Sequence, residues 1–208
     1  MSAAVQKTVL PDGLTVLSQT LRDRRTLSLG AWLRTGARDE PPGQLGITHF
    51  LEHMMFKGTT SRDARAIAAS LESLGGHLDA FTARENVCYT ARVMSEHLGQ
   101  AVDVISDLVC RSRYEDAEIE REKGVVLSEQ RTRNTPEYRA FEARWRLWYE
   151  GQRLADRMPI GTTETIKGAT RELLADYYAR FYRPERTLLV AKNLQRKTCV
   201  QLRIVHPP

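Results

Sequence analysis

The chain has 208 residues, 41% hydrophobic and 27% charged, with a formal net charge of +5. That length suits one large domain or two small ones, with a core that needs no disulfide or metal staple. A mean hydropathy of −0.44, with no apolar run near the ~18 residues of a bilayer span, excludes a membrane span. Acids and bases are interleaved, as in Arg121-Glu122-Lys123, which disfavours a nucleic-acid-binding face.

In chain order, Gln6–Leu10 reads as a strand. Pro11-Asp12-Gly13 is a turn and Leu14–Leu17 the return strand, because Pro presets φ and Gly accepts a positive φ. Thr26–Leu33 alternates as a third strand, and the Pro-rich stretch 36–44 is a loop. A helix follows over about Leu45–Phe56, with Ile47, Leu51, Met54 and Met55 on one face. A second runs from about Asp63 to Leu74 and stops at Gly75-Gly76. Strands are expected at His77–Phe81 and Asn86–Val93, then helices at Glu96–Cys110, Asp116–Arg133 and Tyr138–Tyr149. In the last of these, Trp145, Trp148 and Tyr149 read as core or interface residues. A loop covers about 150–163, with a final helix at Thr170–Phe181 and a final strand at Leu188–Ala191. Strands, helices and strands after an opening hairpin predict an α+β fold. Its sheet should be mixed and largely antiparallel, with helices on one face.

Three cysteines, Cys88, Cys110 and Cys199, show no CxxC spacing, so a reducing compartment is the expectation. The N-terminus has no apolar signal-peptide core.

The chemistry concentrates in His49-Phe50-Leu51-Glu52-His53. Histidines at i and i+4 project from one helix face and can share a zinc ion, while Glu52 lies beside that face. A carboxylate there can take a proton from a zinc-bound water, in the inverted H-x-x-E-H arrangement. The competing reading is an amphipathic helix with two surface histidines. A catalytic zinc needs a third ligand. His77, His97 and His206 sit at a turn, a helix start and the chain end, and 26 acidic residues leave the choice open. Glu122 and Glu129 are seven apart and share one helix face with Val125 and Val126 nearby, which points that face toward protein.

The run His49-Phe50-Leu51-Glu52-His53-Met54-Met55-Phe56-Lys57-Gly58-Thr59 resembles the insulinase (pitrilysin) family of zinc peptidases, and within it the processing-peptidase branch with its bacterial relatives. There the third ligand is a Glu lying about as far beyond the second His as Glu129 lies beyond His53, with 75 residues between. By that resemblance His49, His53 and Glu129 hold one Zn2+ per chain, Glu52 is the general base, and Glu122 is a supporting carboxylate that orients a ligand. Gly75-Gly76-His77-Leu78-Asp79-Ala80-Phe81-Thr82 looks like the family's substrate-pairing strand, with Asp79 where Asn is usual. The resemblance therefore implies that Asp79, Ala80, Phe81 and Thr82 bind an extended peptide by adding it to a sheet edge. Pro11–Val16, Ile160-Gly161-Thr162 and Phe181-Tyr182-Arg183-Pro184 also look like the family.

Residues 1–191 thus read as the N-terminal domain of a two-domain peptidase, with a second domain or partner chain completing the chamber. The implied location is the bacterial cytoplasm, or alternatively the mitochondrial matrix. Residues 192–208, with Lys192, Arg196, Lys197 and Arg203 and no acid, do not match and are expected to be a foreign basic tail. Two functions follow: a zinc-dependent metalloendopeptidase, or a truncated zinc-binding domain with little activity unless a separate C-terminal half is supplied.

Overall fold

A computed structural model describes residues 4–21 and 24–193. Two strands open the chain, β1 (Val5–Val9) and β2 (Thr15–Gln19), followed by β3 (Thr26–Leu33). Helices α1 (Ile47–Met55) and α2 (Ala64–Glu72) lead to β4 (His77–Thr82) and β5 (Val87–Met94). The remaining elements are α3 (Leu98–Arg111), α4 (Asp116–Arg133), α5 (Pro136–Trp148), α6 (Thr163–Lys167), α7 (Arg171–Phe181) and β6 (Thr187–Lys192).

The six strands form one sheet in the order β1-β2-β6-β3-β5-β4. Only β2 and β6 run parallel, with Val16 opposite Leu189; every other pair is antiparallel. The expected mixed, largely antiparallel α+β fold is thus the one observed. Side chains alternate along each strand, so Leu27, Leu29, Ala31 and Leu33 of β3 and Val87, Tyr89, Ala91 and Val93 of β5 are all buried. Helices α1, α2 and α3 pack against the sheet, α3 through Ala101, Val104, Ile105 and Leu108. The opposite face of edge strand β4 is bare, with His77, Asp79 and Phe81 exposed.

Helix α1 lies deepest: all its residues but His53 are buried. It is therefore a core helix with one accessible stripe, and the reading of two surface histidines does not hold, since His49 is buried too. Local chemistry sets the other helix ends. Asp63 caps α2 by accepting the Ala66 N–H at 2.7 Å, and Thr135 caps α5 ahead of Pro136.

The structure departs from expectation in four places. Helix α5 buries none of its residues, and Leu147 and Trp148 are exposed. Its aromatic rings instead stack along the helix and under arginines, Arg84 lying 3.6 Å from the Trp145 ring centre. On α4, Val126 is buried but Val125 is exposed, because adjacent residues diverge by about 100° around a helix. Helix α6 falls in a region without a helical prediction; five residues are too few to display an apolar period. Finally, β6 runs through Lys192, and the Asn193 N–H donates to the Gln19 carbonyl at 2.7 Å. The strand thus ends one residue beyond the expected Ala191, and the rest of the expected tail, residues 194–208, lies outside the described residues.

Candidate metal centre

Helix α1 begins at Gly46, whose φ of +90° suits glycine. The carboxylate of Glu40, fully buried, accepts the Gly46 N–H at 2.8 Å and the Thr48 N–H at 3.0 Å. It thereby satisfies donors that a helix start leaves free. Burial pushes the Glu40 pKa up to about 7, against the Gly46 and Thr48 hydrogen bonds and nearby Arg157, which all pull it down.

One helical turn separates His49 from His53, and their Nε2 atoms lie 3.2 Å apart. From α4, Glu129 Oε2 approaches His49 Nε2 to 3.6 Å and His53 Nε2 to 3.5 Å. A tetrahedral zinc with bonds of 2.0–2.1 Å has ligand atoms about 3.3 Å apart along each edge. The three edges here are close to that size, so the donor set fits a zinc ion. Among the described residues this is the one cluster of three or more His, Cys, Asp or Glu side chains able to share a metal.

The surroundings tune each donor. His53 Nδ1 pairs with Glu122 Oε1 at 2.8 Å, so a proton on Nδ1 leaves the Nε2 lone pair facing the cluster. Glu122 is buried, and its other oxygen takes a hydrogen bond from Lys57 Nζ at 2.6 Å. Burial opposes the charge on Glu122, but His53 and Lys57 outweigh it and hold the carboxyl below its usual pKa. His53 shows the same contest: burial disfavours its charged form, yet Glu122, Glu52 and Glu129 raise its pKa. Burial, with His53 and Arg133 adding to it, pushes His49 down to about 3. His49 is thus neutral at physiological pH, as a ligand must be. Arg133, one turn along α4, holds Glu129 Oε1 at 2.6 Å and leaves Oε2 toward the histidines.

Glu52, also buried, accepts the Thr82 hydroxyl on Oε2 at 2.6 Å. Burial raises its pKa, the Thr82 bond opposing. Strand alternation sends Thr82 toward α1 and leaves Asp79 and Phe81 on the bare face. The Asp79 carboxylate accepts the Ala80 N–H at 2.9 Å.

The structure therefore brings His49, His53, Glu129, Glu122, Glu52 and Thr82 together. Asp79 and Phe81 share Thr82's strand but point away from Glu52. His77 is exposed and His97 pairs with Glu96; His206 lies outside the described residues. Lys57 and Arg133 are additions to the expected set. Their signal was present in the spacing, since Arg133 follows Glu129, and Lys57 follows His53, by four residues.

Comparison with known proteins agrees with this geometry. The family model described as "Insulinase (Peptidase family M16)" matches residues 15–158. A Mycobacterium leprae protein named as an uncharacterized zinc protease is 38% identical over 202 residues, 97% of this chain and 45% of that protein. The mitochondrial-processing peptidase subunit beta of Neurospora crassa is 37% identical over 186 residues, 89% of this chain and 39% of that one. Among solved structures, a Helicobacter pylori protease superposes with a TM-score of 0.90 at 21% identity, over 97% of this chain and 49% of that one, a likeness of fold alone. The periplasmic protease PqqL of Escherichia coli superposes at 0.88 with 25% identity, over 97% of this chain and 24% of that one. The chain spans less than half the length of these relatives. No helix among the described residues is long and apolar enough to cross a membrane.

Proposed function

The chain belongs to the insulinase family of peptidases, family M16, and from that premise we propose that it is the metal-bearing half of a zinc-dependent endopeptidase acting on extended peptides. The observation that carries this reading is the meeting of His49, His53 and Glu129 at zinc-sized separations beside a buried Glu52.

Each residue then has a role. His49, His53 and Glu129 hold one zinc ion per chain. When bound, zinc would polarise the scissile carbonyl and make water acidic enough to attack near neutral pH. Glu52 is the general base: it takes the proton of the attacking water and passes it to the leaving amine. Burial and the Thr82 hydroxyl keep that carboxylate in one rotamer. Glu122 orients His53, and Lys57 keeps Glu122 charged. Edge strand β4 has one neighbour, β5, and offers its other side to an extended peptide, with Asp79, Ala80, Phe81 and Thr82 as the contact residues. The bond from Ala80 N–H to Asp79 is one that a pairing substrate would exchange.

A second reading rests on length. In it the chain, which covers 45% of its M. leprae relative, is a zinc-binding domain with little activity unless a separate C-terminal half is supplied. Metal analysis and a peptide-cleavage assay, run with and without a protein supplying the other half of such a relative, test both. One zinc per chain is expected, lost in Glu129→Gln. Hydrolysis should vanish in Glu52→Gln with zinc retained. A wild-type chain that takes up no zinc in chelator-free buffer would overturn both readings.

A further inference from the structure

The Ile160-Gly161-Thr162 stretch has no role in the chemistry above, yet it touches both elements that carry the metal donors. Gln130, next to Glu129 on α4, donates through Nε2 to the Ile160 carbonyl at 3.0 Å and to the Gly161 carbonyl at 3.2 Å. Its Oε1 accepts the Thr163 hydroxyl at 3.2 Å. All three polar positions of one carboxamide are thus directed at a single four-residue stretch.

That stretch in turn grips the start of α1. Gly161 sits at φ +70°, and a Cβ on it would overlap the Leu45 carbonyl oxygen and the Gly46 backbone. A Cβ on Gly46 would lie 2.6 Å from Gly161 Cα. Two glycines therefore permit direct backbone contact. The Thr165 hydroxyl adds a hydrogen bond to the Leu45 carbonyl. Gly46 is three residues before His49, and Gln130 is one after Glu129. Helices α1 and α4 also pack on each other directly, and at the metal end the donor side chains and the His53–Glu122 pair run between them.

We propose that residues 160–163 are a clamp that sets the α1–α4 separation across the metal centre, and that Gln130 is the positioning residue that closes it. This inference rests on the zinc reading above. Without the carboxamide, α4 and α1 keep their direct packing but lose the tie through residues 160–163, and the Glu129-to-histidine spacing is held less tightly. Groups that orient metal ligands are typically worth ten- to a hundredfold in metal affinity.

The test uses Gln130→Met, which keeps the length and stem of the side chain and removes every hydrogen bond. Zinc affinity is measured on the whole chain by competition with a chromophoric chelator, and amide hydrogen exchange on the metal-free protein. Gln130→Met should bind zinc about tenfold or more weakly, with faster exchange in residues 45–49 and 160–165. Asp63→Ala removes the α2 cap, which takes no part in the bonds of the clamp, and should leave zinc affinity unchanged, which separates positioning from general loss of stability. Thr163→Val, which removes one of the three bonds, should give a smaller shift in the same direction and serves if Gln130→Met does not fold. Wild-type affinity in Gln130→Met, or an equal loss in Asp63→Ala, would overturn the clamp. If the wild-type chain binds no zinc, the zinc reading fails by itself. Exchange then decides the clamp: acceleration confined to those two segments supports it, and an unchanged pattern rejects it.

Discussion

The Thr82 hydroxyl donates to Glu52 Oε2 at 2.6 Å, linking the open edge of the sheet to the buried acid of helix α1. The strand expected to hold substrate thus also holds the proposed base. Hydrogen bonds to charged groups contribute about 1.5–3 kcal/mol. Thr82→Val should therefore lower kcat of the assembled peptidase roughly ten- to a hundredfold while zinc content stays at the wild-type level. Thr82→Ser keeps the hydroxyl and should recover most of the rate. Steady-state kinetics beside metal analysis check this; a Thr82→Val effect confined to KM would assign Thr82 to substrate contact alone.

The Lys57–Glu122–His53 chain makes a prediction about metal affinity. Glu122→Gln weakens the polarisation of His53 Nδ1 and leaves half-buried Lys57 without its anion. Zinc affinity should fall about ten- to a hundredfold, measured by chelator competition. Lys57→Met should move it in the same direction by less, because Glu122 keeps its bond to His53.

Glu40 gives the fold a pH dependence of unusual sign. Its folded pKa, about 7, lies above the 4.5 of a free carboxyl. The folded state therefore binds the proton more tightly, and Glu40 costs stability as pH rises from about 4.5 to 7. Buried His49 acts oppositely: its folded pKa is pushed down to about 3, so metal-free stability rises with pH between that value and the ordinary histidine range. Comparing wild type with Glu40→Gln isolates the first effect. In chelator, the variant should gain on wild type by roughly 3 kcal/mol between pH 4.5 and 8, read from urea denaturation at each pH. A difference that stays flat over that range would contradict the raised pKa.

Metal removal should destabilise the chain, since a ligand that binds only the native state adds RT ln(1 + [L]/Kd). With zinc at about a thousand times its Kd, chelation should cost about 4 kcal/mol, seen as a lower Tm by scanning calorimetry. In Glu129→Gln, chelator should leave Tm nearly unchanged, as little zinc is there to remove.

Much of the site was legible in the sequence because it is written in local spacing. His49 and His53 one turn apart, with an apolar stripe at Ile47, Leu51, Met54 and Met55, specify an amphipathic helix with two imidazoles on one face; the burial of His49 is the structure's addition. Glu129 was different. Spacing put it on one face with Glu122, but only family resemblance distinguished it among the acids, because a candidate donor contributed by another helix leaves no periodic mark. The same limit hid Gln130, whose partners follow it by thirty residues and more. Helix α5 misled in the other direction. Its Trp145 and Trp148, with the neighbouring Tyr149, read as core or interface residues; none of them is in the core, and they stack on one another and on arginines. Composition alone does not separate those two environments.

The place of β6 between β2 and β3 has a consequence for how the domain is made. Val16 and its neighbour Leu189 are separated by about 170 residues, so the first hairpin cannot join the sheet until the last strand has left the ribosome. At roughly 5–20 residues per second that is a wait of about 10–30 s. Throughout it, β2 and β3 each expose an unpaired edge of the kind that recruits other nascent chains. The opening hairpin thus stays without its β6 neighbour until Thr187–Lys192 has been made.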